Sequence, residues 1–469
     1  MDERPGAWSN VSMDLAPSFV TSLRERFGER FATAAAVRDH HGRDESAYPP
    51  MPPDAVVFAE STQDVVDLVR ACAAQCVPLI AYGAGSSLEG QVLAPRGGVC
   101  VDLSRMQRIL AVHDADLTAS VEAGVTRLQL NAELKDKGLF FPVDPGANAT
   151  MGGMVATRAS GTNALRYGTM RENVLALTVV DAQGQVLHTA RRAKKSAAGY
   201  DLTRLFIGSE GTLGIVTEVT VRLAAQPAAV AAAICNFPSV DAAVRATITT
   251  IQMAVPVARC ELLDACAVRA VNSYSKLALR ETPLLLFEFH GSESALAEHA
   301  EAVQQIAHEH EGVDFVWART PEDRSRLWAA RHNAYFAGLQ LRPGCRSITT
   351  DVCVPISRLA ECIEATRVDL AQAPFPYMLI GHVGDGNFHV QMLIDPAAQR
   401  ERDAAEACNQ RLVERALAMD GTCSGEHGVG LHKIDFLVAE HGPEAVELMT
   451  RIKRALDPLG ILNPGKMLR

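Results

Sequence analysis

Four separated segments rich in glycine and small polar residues lie between residues 83 and 216. They are Gly83-Ala-Gly-Ser-Ser-Leu-Glu-Gly90, Asp144-Pro-Gly-Ala-Asn-Ala-Thr-Met-Gly-Gly153, Ala159-Ser-Gly-Thr-Asn-Ala-Leu-Arg-Tyr-Gly168 and Ile207-Gly-Ser-Glu-Gly-Thr-Leu-Gly-Ile-Val216. Where Cβ is missing, successive backbone N–H groups can converge on a phosphate. Ser86, Ser87, Thr150 and Ser160 add hydroxyl donors. Any one of these segments reads equally well as a tight turn, but four in one domain exceed what turns require. None fits GxGxxG opening a helix after the first strand, which disfavours a Rossmann NAD site. The pattern points to a phosphate-bearing cofactor.

A chain of 469 residues is too long for one core, so two or three domains are expected. Hydrophobic residues make up 48% and charged residues 21%, as in a soluble globular enzyme. The net charge of −10 argues against nucleic acid and against an anionic membrane as main partner. A small anionic substrate would then need a local positive site. None of the eleven cysteines falls in a CxxC pair, and Cys72 and Cys76 read as helix packing, so reduced thiols are expected. The acidic start, MDERPGAWSNVSMD, shows no leader pattern. The most apolar stretch, Ala224 to Phe237, is broken by Pro227 and reads as a linker entering a strand, not as a transmembrane segment. The expected compartment is the cytoplasm, with the protein free or peripheral to the inner membrane.

Leu15, Phe19, Leu23, Phe27 and Phe31 recur every four residues and predict a helix over 14–40. Beyond the Pro-rich break at 48–53, strand VVFAE, helix TQDVVDLVRACAAQ capped by Ser61 or Thr62, and strand VPLIAYG follow. Further strands are GVCVDL, ILAVH, LTASVEAG, ALTVVDAQG, VLHTA and GIVTEVTVRL. A second α+β pattern has helices at 239–255, 293–311, 355–370 and 397–419, with strands near 284–290, 347–353 and 377–394. The reading divides the chain into an N-terminal helical segment 1–48, a cofactor domain 49–225, a substrate and metal domain 226–425, and a C-terminal helical segment 426–469 packing back on the cofactor domain.

Gly384-Asp385-Gly386 lies between two apolar runs and predicts a hairpin that brings His382 and His389 close enough to share a metal. Two imidazoles suit Zn, Mn or Fe and need a third, usually anionic, ligand. Glu426, in Gly421-Thr-Cys-Ser-Gly-Glu-His-Gly-Val-Gly430, is a candidate; its neighbour His427 would point the other way in an extended segment. Two His and a carboxylate with open positions is a catalytic arrangement. The plainer alternative has His382 capping the hairpin, and His310 and His441 as satisfied histidines. Arg331 could bind a carboxylate, or lie on a solvated helix face beside Arg324 and Arg326. Asn387 is a second candidate polar contact.

Together these segments resemble the FAD-linked D-lactate dehydrogenase (cytochrome) family of the vanillyl-alcohol-oxidase type of flavoprotein, with its glycolate-oxidase and D-2-hydroxyglutarate-dehydrogenase relatives. The resemblance runs from about residue 40 to the C-terminus. It implies an α+β fold: a two-part PCMH-type FAD domain plus an α+β cap domain with an antiparallel sheet. It implies FAD near Gly83, Gly85, Ser86, Ser87 and Leu88 on the pyrophosphate side. Pro145, Gly146, Thr150, Gly153, Ser160, Gly161, Asn163 and Tyr167 would line the cofactor, with Glu210, Gly214 and Ile215 near its adenosine half. No His lies between His41 and His113, so FAD is expected to be held non-covalently.

GHVGDGNFH and GEHGVG match the family pattern, implying His382, His389 and Glu426 as metal ligands and His427 as catalytic base. Arg331 matches a substrate-binding Arg. Relatives acting on 2-hydroxyglutarate carry Lys where Thr349 falls, so Thr349 favours a short monocarboxylate. The implied reaction is oxidation of a D-2-hydroxy acid, D-lactate foremost. The alternatives are glycolate, D-2-hydroxyglutarate or a longer aliphatic acid. Cytochrome, quinone and electron-transferring flavoprotein all remain open as electron acceptors, and a homodimer stays open. A non-catalytic FAD-binding subunit should lack the His-x6-His and Glu-His elements, both present here; a sugar-lactone or aryl-alcohol oxidase is disfavoured on the same ground.

Overall fold

The computed structural model describes residues 14–318 and 320–469. The start of the expected N-terminal helical segment, residues 1–13, and the sequence read there for a leader lie outside the described residues. The chain forms two compact units. One comprises the residues up to Ala159, Thr169–Ala225 and His427–Arg469; the other comprises Ser160–Gly168 and Gln226–Glu426.

The first unit holds a four-stranded sheet in the order Phe31–Ala32, Ala55–Phe58, Val99–Asp102, Leu79–Tyr82. Val99–Asp102 is flanked by a parallel strand on each side, and all four of its residues are buried. Such strands read as unbroken apolar runs. Helix Thr62–Gln75 makes the crossover, with the Ser61 hydroxyl accepting from the Asp64 N–H. Val65, Val66, Leu68 and Val69 are buried in the core of this sheet. The C-terminal segment closes the same sheet: Leu79 N–H donates to the Ile461 carbonyl (2.7 Å) and Asn463 N–H to the Leu79 carbonyl (2.9 Å). A five-stranded antiparallel sheet runs Ile109–His113, Thr118–Glu122, Ile215–Arg222, Val174–Val180, Val186–His188. Ile452 and Leu456 of helix Pro443–Leu456 pack on its core.

The single N-terminal helix expected over 14–40 is corrected to two. The first, Pro17–Phe27, stops at Gly28 with φ +57, and Phe31 and Ala32 leave helical geometry to pair with Val57 and Val56. A second helix follows at Ala35–His41. Backbone pairing with the sheet outweighs the four-residue apolar period there. The cofactor domain is also not one run over 49–225, since Ser160–Gly168 belongs to the second unit.

The second unit is built on an antiparallel sheet in the order Val313–Ala318, Ala229–Asn236, Leu284–Gly291, Val257–Leu263, Tyr377–His382, Asn387–Ile394, Arg346–Thr349, with Val352–Cys353 also pairing Asn387–Ile394. Helices Val240–Gln252, Glu293–Glu309, Ile356–Leu370 and Gln399–Leu417 fall where the sequence pattern puts them. The sequence reading passed over strand Val257–Leu263 and the helices Ala265–Ser275, Pro321–His332 and Ala334–Gln340; these helices share one core with the sheet. Among the described residues no helix is long and apolar enough to cross a membrane.

Gly386 closes the Tyr377–Ile394 hairpin at φ +81, and a Cβ there would sit 2.1 Å from the Val354 carbonyl oxygen. Gly386→Ala is therefore expected to destabilise the fold by about 1–3 kcal/mol from the backbone conformation alone, with the clash adding to it. The midpoint of urea unfolding measures this; an unchanged midpoint would show that the turn relaxes freely.

Candidate functional site

In the hairpin, His382 pairs with Asn387 and Ile380 with His389, so the two histidines lie on the same face of adjacent strands. Their rings meet edge to face, with centroids 5.5 Å apart. The Glu426 carboxylate joins them: its Oε1 lies 3.2 Å from His382 Nε2 and 3.3 Å from His389 Nε2. The three donor atoms all fall within 4.8 Å of one another. Buried Asp351 fixes the approach of Glu426, accepting from the Glu426 N–H (3.0 Å), the Ser424 hydroxyl (2.9 Å) and the Asn387 amide (2.9 Å).

The outward ring nitrogens are committed. His389 Nδ1 lies 2.9 Å from the Thr350 carbonyl and His382 Nδ1 lies 2.8 Å from Glu261 Oε1. Both partners only accept, so each Nδ1 carries a proton and Nε2 is the ring atom left to face a ligand. Arg331 Nε donates to Glu261 Oε2 at 2.7 Å, and its terminal nitrogen lies 3.5 Å from His382 Nε2. Arg331 is thus partly buried and paired, not on a solvated helix face. Burial would push the His382 imidazole down, but Glu261 and then Glu426 outweigh it and hold the ring well above its usual range. A cluster that favours positive charge, with two inward Nε2 atoms and a carboxylate oxygen, fits a divalent metal.

Asn387 also has a structural role. Its amide nitrogen donates to Asp351 and to the Val352 carbonyl (2.8 Å), which uses both N–H groups. Thr349 lies at the end of strand Arg346–Thr349, opposite Gln391, with its hydroxyl 2.9 Å from that of Ser347. His310 Nε2 is satisfied by the Thr249 hydroxyl (2.9 Å), and His441 lies 3.5 Å from Glu440.

The chain passes from the second unit to the first at the Glu426–His427 peptide bond. In the first unit, His427 Nδ1 lies 3.3 Å from Glu89 Oε1, and the His427 carbonyl accepts from Gln91 (2.7 Å). Glu89 also meets His432 Nδ1 (2.8 Å) and Lys433 Nζ (3.1 Å), with both Glu89 and Lys433 1% exposed. Burial alone would raise the Glu89 carboxyl; Lys433, then the bonds to His427 and His432, hold it well below the carboxylate range. Glu210 accepts from the Val429 (2.6 Å) and Gly430 (2.8 Å) N–H groups, while burial pushes it up to about 7.

Three of the four glycine segments converge in this unit. A Cβ on Gly83 would lie 2.4 Å from the Thr150 hydroxyl, and one on Gly85, at φ +66, 2.1 Å from the Tyr82 hydroxyl. Thr150 caps helix Met151–Thr157 through the Gly153 N–H, while the Gly208 and Glu210 N–H groups donate to Val155 and Ala156 of that helix. Ser86, Leu88, Pro145 and Gly153 are half-buried nearby in sequence, Gly146 is exposed, and Gly214 and Ile215 are buried where strand Ile215–Arg222 starts. The Ser87 hydroxyl is taken by Asp44 (3.0 Å). Half-open loops that tolerate no side chain at Gly83 or Gly85 fit a dinucleotide backbone. The third segment sits in the other unit: Asn163 Oδ1 accepts from Arg259 Nε (2.8 Å), and the Tyr167 hydroxyl lies 2.7 Å from His290 Nδ1, with Ser160 half-buried and Gly161 buried beside them in sequence.

Glu261, Glu89 and Asp351 were missed in the sequence. Glu261 left one signal, a lone carboxylate in the apolar strand VARCELL; a buried charge always requires partners.

A model of the C-terminal domain of FAD linked oxidases matches residues 226–467, and one of an FAD binding domain matches residues 53–190. The chain is 50% identical over 453 residues to a protein of Danio rerio named probable D-lactate dehydrogenase, mitochondrial, covering 96% of this chain and 91% of that one. It is 46% identical over 465 residues to the mitochondrial D-lactate dehydrogenase (cytochrome) of Arabidopsis thaliana, covering 99% of this chain and 81% of that one. Among solved structures, p-cresol methylhydroxylase with substrate bound matches with a TM-score of 0.81 at 17% identity, covering 96% of each chain. That likeness shows the fold to be the α+β, PCMH-type flavoprotein fold. With an FAD-binding domain, a C-terminal oxidase domain and full-length relatives at this identity, the chain belongs to the FAD-linked D-lactate dehydrogenase (cytochrome) family of oxidoreductases.

Proposed function

We propose that this enzyme oxidises D-2-hydroxy acids to 2-oxo acids, D-lactate to pyruvate foremost, with a divalent metal and a histidine base. The observation that carries the reading is the set of buried His382 and His389 with half-buried Glu426, both Nε2 atoms turned to the one carboxylate oxygen. Bound FAD supplies a two-electron acceptor for the substrate C2–H, and a divalent metal on these three residues supplies positive charge for the substrate oxygens. His427 takes the hydroxyl proton: its Nδ1 is held by Glu89, which leaves Nε2 as the basic atom. Arg331, steadied by Glu261, meets the substrate carboxylate. The neutral Thr349 favours a short monocarboxylate over one with a distal carboxylate. A cytochrome is the favoured electron acceptor, as in the name of the Arabidopsis relative.

Anaerobic mixing of the purified enzyme with D-lactate is expected to bleach the flavin's visible absorbance, while L-lactate leaves it oxidised. Bleaching by the L-isomer alone, or by neither, would remove the substrate assignment. Faster bleaching by D-2-hydroxyglutarate would overturn the Thr349 argument.

A further inference from the structure

We infer that Glu261 is a positioning residue which ties the metal ligand His382 to the substrate-binding Arg331, so that one carboxylate serves both metal and substrate. The inference rests on the site reading given above. Glu261 lies on strand Val257–Leu263, whose next residue, Leu262, pairs with Gly381, the neighbour of His382. Only 1% of it is exposed. Its two oxygens divide the work: Oε1 accepts from His382 Nδ1 at 2.8 Å and Oε2 from Arg331 Nε at 2.7 Å.

Two consequences follow from that division. The bond at Nδ1 fixes the ring orientation, so that Nε2 is the ring atom turned to a metal beside Glu426. The bond at Nε fixes the guanidinium plane and leaves the terminal nitrogens, one of them 3.5 Å from His382 Nε2, to meet a substrate carboxylate. A guanidinium this close to a ligating nitrogen would by itself oppose a divalent cation. The negative charge of Glu261, in contact with both groups, offsets that repulsion. A carboxylate is the one side chain of this size with an acceptor for each partner and no donor facing either.

Glu261→Gln separates the roles. Glutamine carries one oxygen and one NH2 group, so in either orientation a donor faces His382 or Arg331. Zinc affinity of the FAD-loaded, metal-stripped protein, titrated against a chromophoric chelator, is expected to fall about tenfold to hundredfold. The KM for D-lactate is expected to rise in the same variant. Glu261→Asp keeps two acceptors on a shorter stem and is expected to lose less affinity. Flavin content and the thermal midpoint verify that each variant is folded. A folded Gln variant with wild-type zinc affinity and KM overturns the inference. So does a fall in thermal midpoint with zinc affinity unchanged, which would mark Glu261 as purely structural. Failure of the wild-type enzyme to bind zinc stoichiometrically would instead bring down the metal reading itself, and this inference with it.

Discussion

His427→Ala is expected to keep its flavin and to lose flavin reduction by D-lactate by a factor of about 10²–10⁴, the range for removing a positioned general base. The backbone at this position is held independently of the imidazole. Gln91 donates to the His427 carbonyl, and Glu210 binds the next N–H groups, those of Val429 and Gly430. Removing the ring therefore leaves the chain path in place, and the glycine loops around Gly83 and Thr150 do not depend on it. Stopped-flow reduction under anaerobic conditions, with bound flavin measured separately, gives both quantities. Wild-type reduction in the variant would move the base elsewhere. Loss of flavin together with activity would mean that His427 holds the fold and not the proton. A second variant discriminates further: Glu89→Gln retains the imidazole but weakens its orientation, so its reduction rate should fall between those of the wild type and His427→Ala.

What could be read in the sequence follows from how local each signal is. The Tyr377–Ile394 hairpin was legible because two apolar runs and a Gly-Asp-Gly turn sit within one short stretch, and strand pairing then sets His382 beside His389. Helix Thr62–Gln75 was legible through its cap and its buried valines. Glu261 was not, because its partners lie 121 and 70 positions away and strand periodicity carries no information about which distant side chains will meet a buried carboxylate. Glu89 was hidden the same way, 338 positions from His427. Ser160–Gly168 shares the composition of the neighbouring glycine segments, so nothing local signals that it belongs to the second unit; it is held there by Arg259 and His290. For Asn387, residue type suggests a polar contact, while only the fold shows that its two N–H groups are used by Asp351 and Val352.

The largest expected loss of stability is at Glu89. Its carboxylate and the Lys433 ammonium lie 3.1 Å apart, each 1% exposed, with His432 and His427 on the same two oxygens. Glu89→Leu leaves a buried ammonium without its carboxylate, and breaking such a pair from one side costs about 3–5 kcal/mol. Replacing both members with apolar residues of similar volume is often neutral, so Glu89→Leu/Lys433→Met should recover most of that loss. Urea unfolding of the wild type, the single and the double variant measures this. A single variant within about 1 kcal/mol of wild type would show that water reaches the ammonium and that the pair is not the constraint it looks. The pH dependence has a definite sign. The Glu89 carboxyl is held below its ordinary value, so its stabilisation is complete above about pH 4.3, the unfolded range, and is lost as pH falls through the folded value. The gap between wild type and Glu89→Leu should accordingly narrow on acidification. Recovery in the double variant should extend to stability and not to flavin reduction. Leucine and methionine can fill the volume around His427, but neither can accept the proton on its Nδ1 and turn Nε2 to the substrate.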